Sequence, residues 1–411
     1  MTKKILTITL FLYGLAVQAQ NTISPYSIFG VGEVQNKGFG ATQNLGGAGI
    51  AYQSGNKLNS LNPASYIGID SSRIIFEFGI EGKNYQLESS DITQKGNTGN
   101  IKYVALGFRY NSWLAGSFGM VPFSSVGYSV ATQNYVEGVD SKYTSLYKGS
   151  GGISQFYYSN AIKIFKNLSF GVNASFMFGS LVQEENVVED NYVPAIIIKR
   201  QDFLKSMYFD YGMRYSFAAG NTNFSAGITY SNKQNLKSRH ILAVYDENLS
   251  VIRGEEYNTD YLTVPAIFGA GIGIGKKGRY DILIDYNFQE WSGVVYPNQS
   301  QDFVDSHSFS MGSAFKPWQP RVTNSFYKNW EYRLGVNYKT SYLKLGSEVI
   351  KGGSVSFGAA IPLPGKLSEV NWGFELGTNG TKSNHLIREK YVLFQLGFNL
   401  NEVAFLKRQI Y

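Results

Sequence analysis

The chain holds three histidines, His240, His307 and His385, and no cysteine. An imidazole beside a serine and a carboxylate would do acyl transfer, and three imidazoles together would hold zinc. The spacing supports neither, because the three stand far apart, each in a stretch expected to be an outer connection. Residues 269–275, followed by Lys276, superficially match a phosphate-binding loop, but Ala270 occupies the place of the first Walker glycine. That run fits a strand with one face of small residues. Asp281, Asp285, Glu331, Arg333, Lys339 and Glu375 alternate with apolar neighbours. Such charges either pair across an interior, which avoids isolated charge at low dielectric, or line a selective passage; pairing is the simpler reading. No catalytic residue, metal ligand or cofactor-binding residue is assigned, and no cofactor is expected.

The elements that carry these side chains follow a two-residue period. Trp330, Tyr332, Leu334, Val336 and Tyr338 are apolar, with Glu331, Arg333, Gly335, Asn337 and Lys339 between them. The same alternation runs through residues 168–178, 209–217, 280–288 and 392–400. A soluble sandwich and a membrane barrel share this period, and composition helps to separate them. Tyr (30), Phe (28) and Gly (45) are abundant while charged residues make up only 16%, against about a quarter in soluble domains. Aromatic rings in such numbers suit membrane interfaces. Mean hydropathy is −0.17, and past the N-terminus no apolar run approaches the ~20 residues of a spanning helix. In lipid, that leaves a closed barrel as the structure that satisfies its backbone.

Lys3 and Lys4, the apolar stretch 5–17 and the small-residue site Val17-Gln18-Ala19 have the layout of a secretory signal peptide, so residues 1–19 are expected to be removed. The net charge of +7 fits a mixed-sign solvated surface. For an exported chain, outer-membrane lipids and lipopolysaccharide are the expected contacts, and nucleic acid is not a partner. Tight connections are expected at Asn111-Ser112, Lys166-Asn167, Gly220-Asn221, 276–278, Thr340-Ser341 and 363–367. They alternate with long ones at 83–100, 133–152, 183–205, 232–260 and 292–329, and a short hairpin at 351–354 fills one long place. Sorting short turns from long loops by side is an outer-membrane barrel trait. The expected fold class is therefore all-β: a transmembrane antiparallel β-barrel of about 14 strands over residues 71–401, in the cell outer membrane, with both termini and the tail 402–411 periplasmic. Residues 20–70 break the period, with Gly30, Gly32, Gly38, Gly40, Gly46, Gly47 and Gly49 among apolar residues that need burial. They are expected to form an N-terminal hatch or plug in the lumen.

Gly47-Ala48-Gly49-Ile50-Ala51-Tyr52, followed after a polar stretch by Asn62-Pro63-Ala64-Ser65, is similar to the N-terminal signature of the FadL family. Gly151-Gly152-Ile153 with Lys166-Asn167-Leu168-Ser169-Phe170-Gly171-Val172-Asn173 resembles a hairpin of its distant members. Ser24-Pro25-Tyr26-Ser27-Ile28-Phe29-Gly30 resembles the start of a divergent branch. The resemblance implies a barrel with a hatch that passively takes up long-chain fatty acids or other hydrophobic molecules, released sideways through the wall when the hatch moves. It assigns Asn62, Pro63 and Ala64 to the hatch, where proline fixes φ and asparagine bonds nearby backbone. A structural role for these three outweighs ligand contact.

A capture site would need apolar surface in the outer connections. Ile196, Ile197 and Ile198 form one such element, and the stretch 315–320 with Trp318 forms a second, expected on the same side. Packing as a lid is the competing reading for both. Because fold does not imply function, a second expectation stands beside uptake. It is an accessory barrel in an outer-membrane machine for protein assembly (Bam-type) or type IX secretion, whose partner surface would come from the long loops and the tail with Phe405, Lys407, Arg408 and Tyr411.

Overall fold

Lipid outside and polar groups inside set the wall. Along Glu331–Leu345, Tyr332, Leu334, Val336 and Tyr338 are 37 to 57% exposed, whereas Arg333 between them is 3% exposed. The computed structural model describes residues 24–90, 92–135, 142–188, 195–294, 296, 303–317, 326–363 and 368–404. The expected signal peptide, residues 1–19, and residues 405–411 of the expected tail lie outside the described residues.

The wall strands are β1 (Arg73–Glu88), β2 (Thr93–Arg109), β3 (Leu114–Tyr135), β4 (Lys142–Lys163), β5 (Leu168–Val187) and β6 (Ile196–Ala219). Then come β7 (Thr222–Ser231 continued by Gln234–Tyr245) and β8 (Val251–Val264 continued by Ile267–Lys276). The rest are β9 (Tyr280–Gln289), β10 (Ser306–Phe315), β11 (Glu331–Leu345), β12 (Glu348–Pro362), β13 (Glu369–Asn379) and β14 (Arg388–Val403). Sequence neighbours pair antiparallel, and β14 returns to β1 from Arg388↔Glu88 to Val403↔Arg73, closing a barrel of 14 strands. Closure lets the strands satisfy one another's backbone groups where no water reaches.

One end of the barrel carries tight turns, between Arg109 and Leu114, Lys163 and Leu168, Ala219 and Thr222, and Lys276 and Tyr280. At the other end most of the long connections are strand. The ladders continue to Glu88↔Thr93, Tyr135↔Lys142, Val187↔Ile196 and Val251↔Tyr245. With 24 residues β6 extends far beyond the lipid, since ~9–11 residues cross the hydrocarbon.

Five expectations are corrected. The stretch 292–329 is not one loop but contains β10, whose inward places hold Ser308, Ser310 and Gly312 and so disguise the alternation. Strand β11 continues through Thr340 and Ser341 with a bulge before Lys344, and the turn comes at Gly346 (φ +62°). Residues 351–354 lie within β12. The missed strand and the misplaced turns offset each other in the count. Because β10 was missed, the side of the next connection was inverted: Phe315 pairs with Tyr280 and Tyr332 at the tight-turn end. Trp318 itself lies outside the described residues. Finally, Ile196, Ile197 and Ile198 are no loop but the first residues of β6, paired with Val187, Asn186 and Glu185.

Candidate functional site

The lumen is occupied by residues 24–70. Phe39, Leu58, Asn62 and Ala64 are fully buried there. Inward-facing glycines of the wall make the room. A Cβ on Gly335 would collide with the backbone of Gly46, one on Gly171 with Pro63 and Ala64, and one on Gly212 with Asn62 and Pro63. Gly269 and Gly271, from the glycine-rich run, accommodate Ile50. Asn62 joins segment to wall: its Oδ1 accepts from Ala64 N at 3.0 Å, capping the 3-10 helix Pro63–Gly68, while Nδ2 donates to Ile50 O at 2.8 Å and to the wall carbonyl of Met213 at 3.1 Å. Proline opens that helix where no N–H is needed.

Polar wall residues pin the segment further. Asp285 Oδ2 accepts from Gly49 N and Ile50 N at 2.6 and 2.8 Å. Glu77 accepts from Leu58 N at 2.8 Å and Asn399 Nδ2 at 2.7 Å, and Arg214 donates to Ala51 O at 2.8 Å. Lys57 Nζ reaches Glu331 at 2.8 Å and Glu369 at 3.4 Å, and Arg333 completes the cluster at 2.8 and 3.6 Å from the same carboxylates. Burial alone would lower the Lys57 ammonium; the two carboxylates outweigh it and hold it above the ordinary lysine value. Burial would raise the Glu33 carboxyl, yet Lys83, Lys339 and Lys102 outweigh that and hold it low.

Toward the long-strand end, an apolar layer closes over the segment. Trp291 stacks on Tyr342 at 4.0 Å, and Phe303, Tyr296 and Val31 pack around them. Strand β3 contributes by leaving the wall. It pairs with β2 only from Val104↔Met120 to Arg109↔Ala115, then bulges after Pro122 and buries Phe123, Val126 and Tyr128 in this layer. A two-residue strand, Glu33–Val34, pairs with Ser125 and Ser124 along the vacated edge of β3. Over residues 93–101, β2 has no strand partner on that side among the described residues.

Cavities among the described residues flank the segment. One of about 330 Å³ lies beside the segment; most of its lining residues are polar, among them Glu33, Lys37, Lys102, Gln155, Asp210 and Gln395, although more than half of its lining surface is apolar. Another, about 340 Å³, opens beneath it near Arg214, Asn223 and Asp281.

Asn62, Pro63 and Ala64 thus sit at the centre of the segment's seat, while Ile196, Ile197 and Ile198 lie outside it on β6. His240 and His307 are not in loops. His240 is buried on β7 with Nδ1 3.0 Å from Asp202, and His307 on β10 is 2.8 Å from the Tyr286 hydroxyl. His385 does lie in a connection. Sequence reasoning missed Lys57, Trp291 and the glycine seats. Only the small-residue face of residues 269–275 signalled one of them.

A family model described as BamG matches residues 1–411. No curated protein matches the chain. Among solved structures, the Pseudomonas putida toluene transporter TodX superposes with TM-score 0.61 at 15% identity, covering 92% of this chain and 100% of its own. The CymD monoaromatic hydrocarbon channel gives 0.59 at 15% identity, with 93% and 100% covered. A Pseudomonas aeruginosa FadL homologue gives 0.59 at 13%, with 88% and 98% covered. At such identities the likeness is one of fold, and the fold is that of FadL-like outer-membrane barrels.

Proposed function

This chain belongs to the BamG family, and we propose that it is a non-transporting accessory barrel subunit of an outer-membrane protein-assembly complex. The observation that carries the reading is the filled lumen. The segment is seated on wall glycines, cross-braced by Lys57, Asp285 and Arg214, and roofed by the layer around Trp291. A hydrophobic molecule crossing it would have to displace buried ion pairs and pass a cavity lined by charged and amide side chains; stripping water from such groups is costly. In this reading the tight turns and both termini face the periplasm, residues 20–70 act as a fixed plug, and partners dock on the long strands beyond the lipid.

A second reading, passive uptake of hydrophobic molecules with hatch movement and lateral exit, is favoured by the parting of β2 and β3 above Val104. Mild-detergent purification of the native protein, with mass spectrometry of co-purified proteins and lipids, separates the two. Stoichiometric assembly subunits without a bound acyl chain are expected. A solitary barrel carrying an acyl chain would overturn the accessory reading and support uptake.

A further inference from the structure

The outward face of β14 changes character in one step. Leu400, Phe398, Phe394 and Val392 on that face are 36 to 43% exposed. Since ~9–11 residues cross the hydrocarbon, the span 392–400 accounts for the crossing. The next two outward positions are Lys390 and Arg388, which places them where hydrocarbon gives way to headgroups. Their cross-strand neighbours on β1 are Gln86 and Glu88, and Lys95 of β2 stands opposite Gln86.

Glu88 gathers the cations. Arg388 Nη2 lies 2.6 Å and Lys382 Nζ 3.0 Å from its Oε2, and Lys390 Nζ lies 2.9 Å from Oε1. The Glu88 side chain is 6% exposed, whereas those of the three cations are 37 to 50% exposed. One carboxylate neutralises one of three positive charges, and like charges this close repel. Lys95 and Lys351, exposed on the same outer face, add to the excess. Glu348, which accepts from Asn384 at 3.2 Å on the adjoining hairpin, offsets one charge.

We propose that this patch binds a phosphate of lipopolysaccharide, with the acyl chains of the same molecule laid on the apolar face below it. A free phosphate would use the cations and leave the apolar face idle. A phosphate monoester carries about −1.5 to −2 at pH 7, which matches the excess better than the single charge of a phospholipid diester. The guanidinium fork of Arg388 and the ammonium groups beside it are the donors that phosphate oxygens take. The site rests on the orientation in the proposed function, long strands outward, and not on the partners named there.

The test uses the full-length barrel in detergent. Lipid A, lipid A stripped of its phosphates, phosphatidylglycerol and inorganic phosphate are each titrated, and native mass spectrometry counts the bound molecules. Intact lipid A should bind about tenfold or more tightly than the other three. Its binding should weaken about tenfold in Arg388→Gln/Lys390→Gln, through loss of charge-assisted hydrogen bonds. Binding of stripped lipid A should not change. Lys163→Gln/Lys166→Gln, which removes two exposed cations at the tight-turn end, should bind as the parent does. All variants should keep heat-modifiable migration. If the first pair does not fold, Lys382→Gln, which lies in a connection, decides with a loss of about threefold or more. Binding that ignores the phosphates, equal loss in the control pair, or equally tight binding of phosphatidylglycerol or inorganic phosphate would each overturn the proposal. Orientation is read separately. Ser383→Cys, the only thiol in the chain, should react with an impermeant maleimide on intact cells; reaction only after lysis would refute the orientation, and the assignment to lipopolysaccharide with it. A purification that yields no assembly subunits would refute the accessory reading and leave this result unaffected.

Discussion

Replacing Lys57 by methionine tests whether the luminal segment is held by buried charge. Lys57 is 5% exposed, with Nζ 2.8 Å from Glu331 and 3.4 Å from Glu369. Methionine keeps much of the stem and removes the charge. Arg333 is then left to compensate both carboxylates, from 2.8 and 3.6 Å. Removing one partner of a buried pair costs about 3–5 kcal/mol, and with Arg333 retained the lower end, ~3 kcal/mol, applies. None of the wall ladders includes Lys57, so the cost falls on seating of the segment rather than on the barrel. At ~1.4 kcal/mol per tenfold, the unseated population rises roughly a hundredfold. The chain has no cysteine, so Ser65→Cys, a near-isosteric change at a residue 3% exposed, supplies a single probe. Its alkylation rate should rise about a hundredfold when Lys57→Met is added. The rate should fall most of the way back when Glu331→Gln is added too, because Arg333 and Glu369 then balance. Because the Lys57 ammonium is held above its ordinary value, its contribution is present below the unfolded pKa (~10.4) and lost only as pH rises through the higher folded one. Rates corrected for thiolate should therefore be flat from about pH 7 to 9. A change of less than about threefold on Lys57→Met, within the context scatter of such energies, would refute ionic anchoring of the segment.

Gly335→Val should prevent seating, because a side chain there meets the Gly46 backbone; the probe at Ser65→Cys should then react as a free thiol, or the heat-modifiable band should be lost. Gly82→Val, at a position whose nearest atom is 3.9 Å from the added Cβ, should do neither; equal effects would exclude a role for glycine seats. Asn62→Ala removes the cap on Ala64 N and two further bonds, at a cost of about 1–2 kcal/mol, and probe labelling should rise roughly tenfold. The Glu33 carboxyl is held low, so its contribution is present above the unfolded pKa (~4.3) and lost as pH falls through the lower folded value. Hydrogen exchange at residues 24–35 should stay protected from neutral pH to about pH 5 and rise only on further acidification; loosening already between about pH 7 and 5 would contradict this.

The wall was readable because lipid enforces a period of two wherever a strand crosses it. The period failed where inward residues were small: β10 presents Ser308, Ser310 and Gly312 to the lumen, and small residues resemble a loop. That the segment 20–70 needs burial could be read from its glycines and rings. Its seat could not be, since Gly46 meets Gly335 and Lys57 meets Glu331 only after the barrel closes. In isolation Lys57 stands in a polar stretch and reads as a solvated residue. His240 misled for a different reason. It stands far from the membrane belt, but β7 and β8 continue outward as a ladder, and Tyr257 and Asp202 bury it there.

That outward continuation bears on function. Strands β9 and β10 have 10 residues each, about the length that crosses the hydrocarbon, whereas β6 has 24. The rim is therefore tall on one side and low on the other. Uptake requires a passage and a capture site, and neither needs a wall that stands well above the lipid on one side only. The hairpin joining β7 to β8 ends in Leu249, Val251 and Ile252, 61 to 68% exposed beyond the membrane belt. Apolar residues clustered in water mark contact surfaces. A filled lumen and a raised wall with an apolar tip suit a barrel that docks partners; uptake would need the luminal segment to move and the apolar tip to serve as the capture surface.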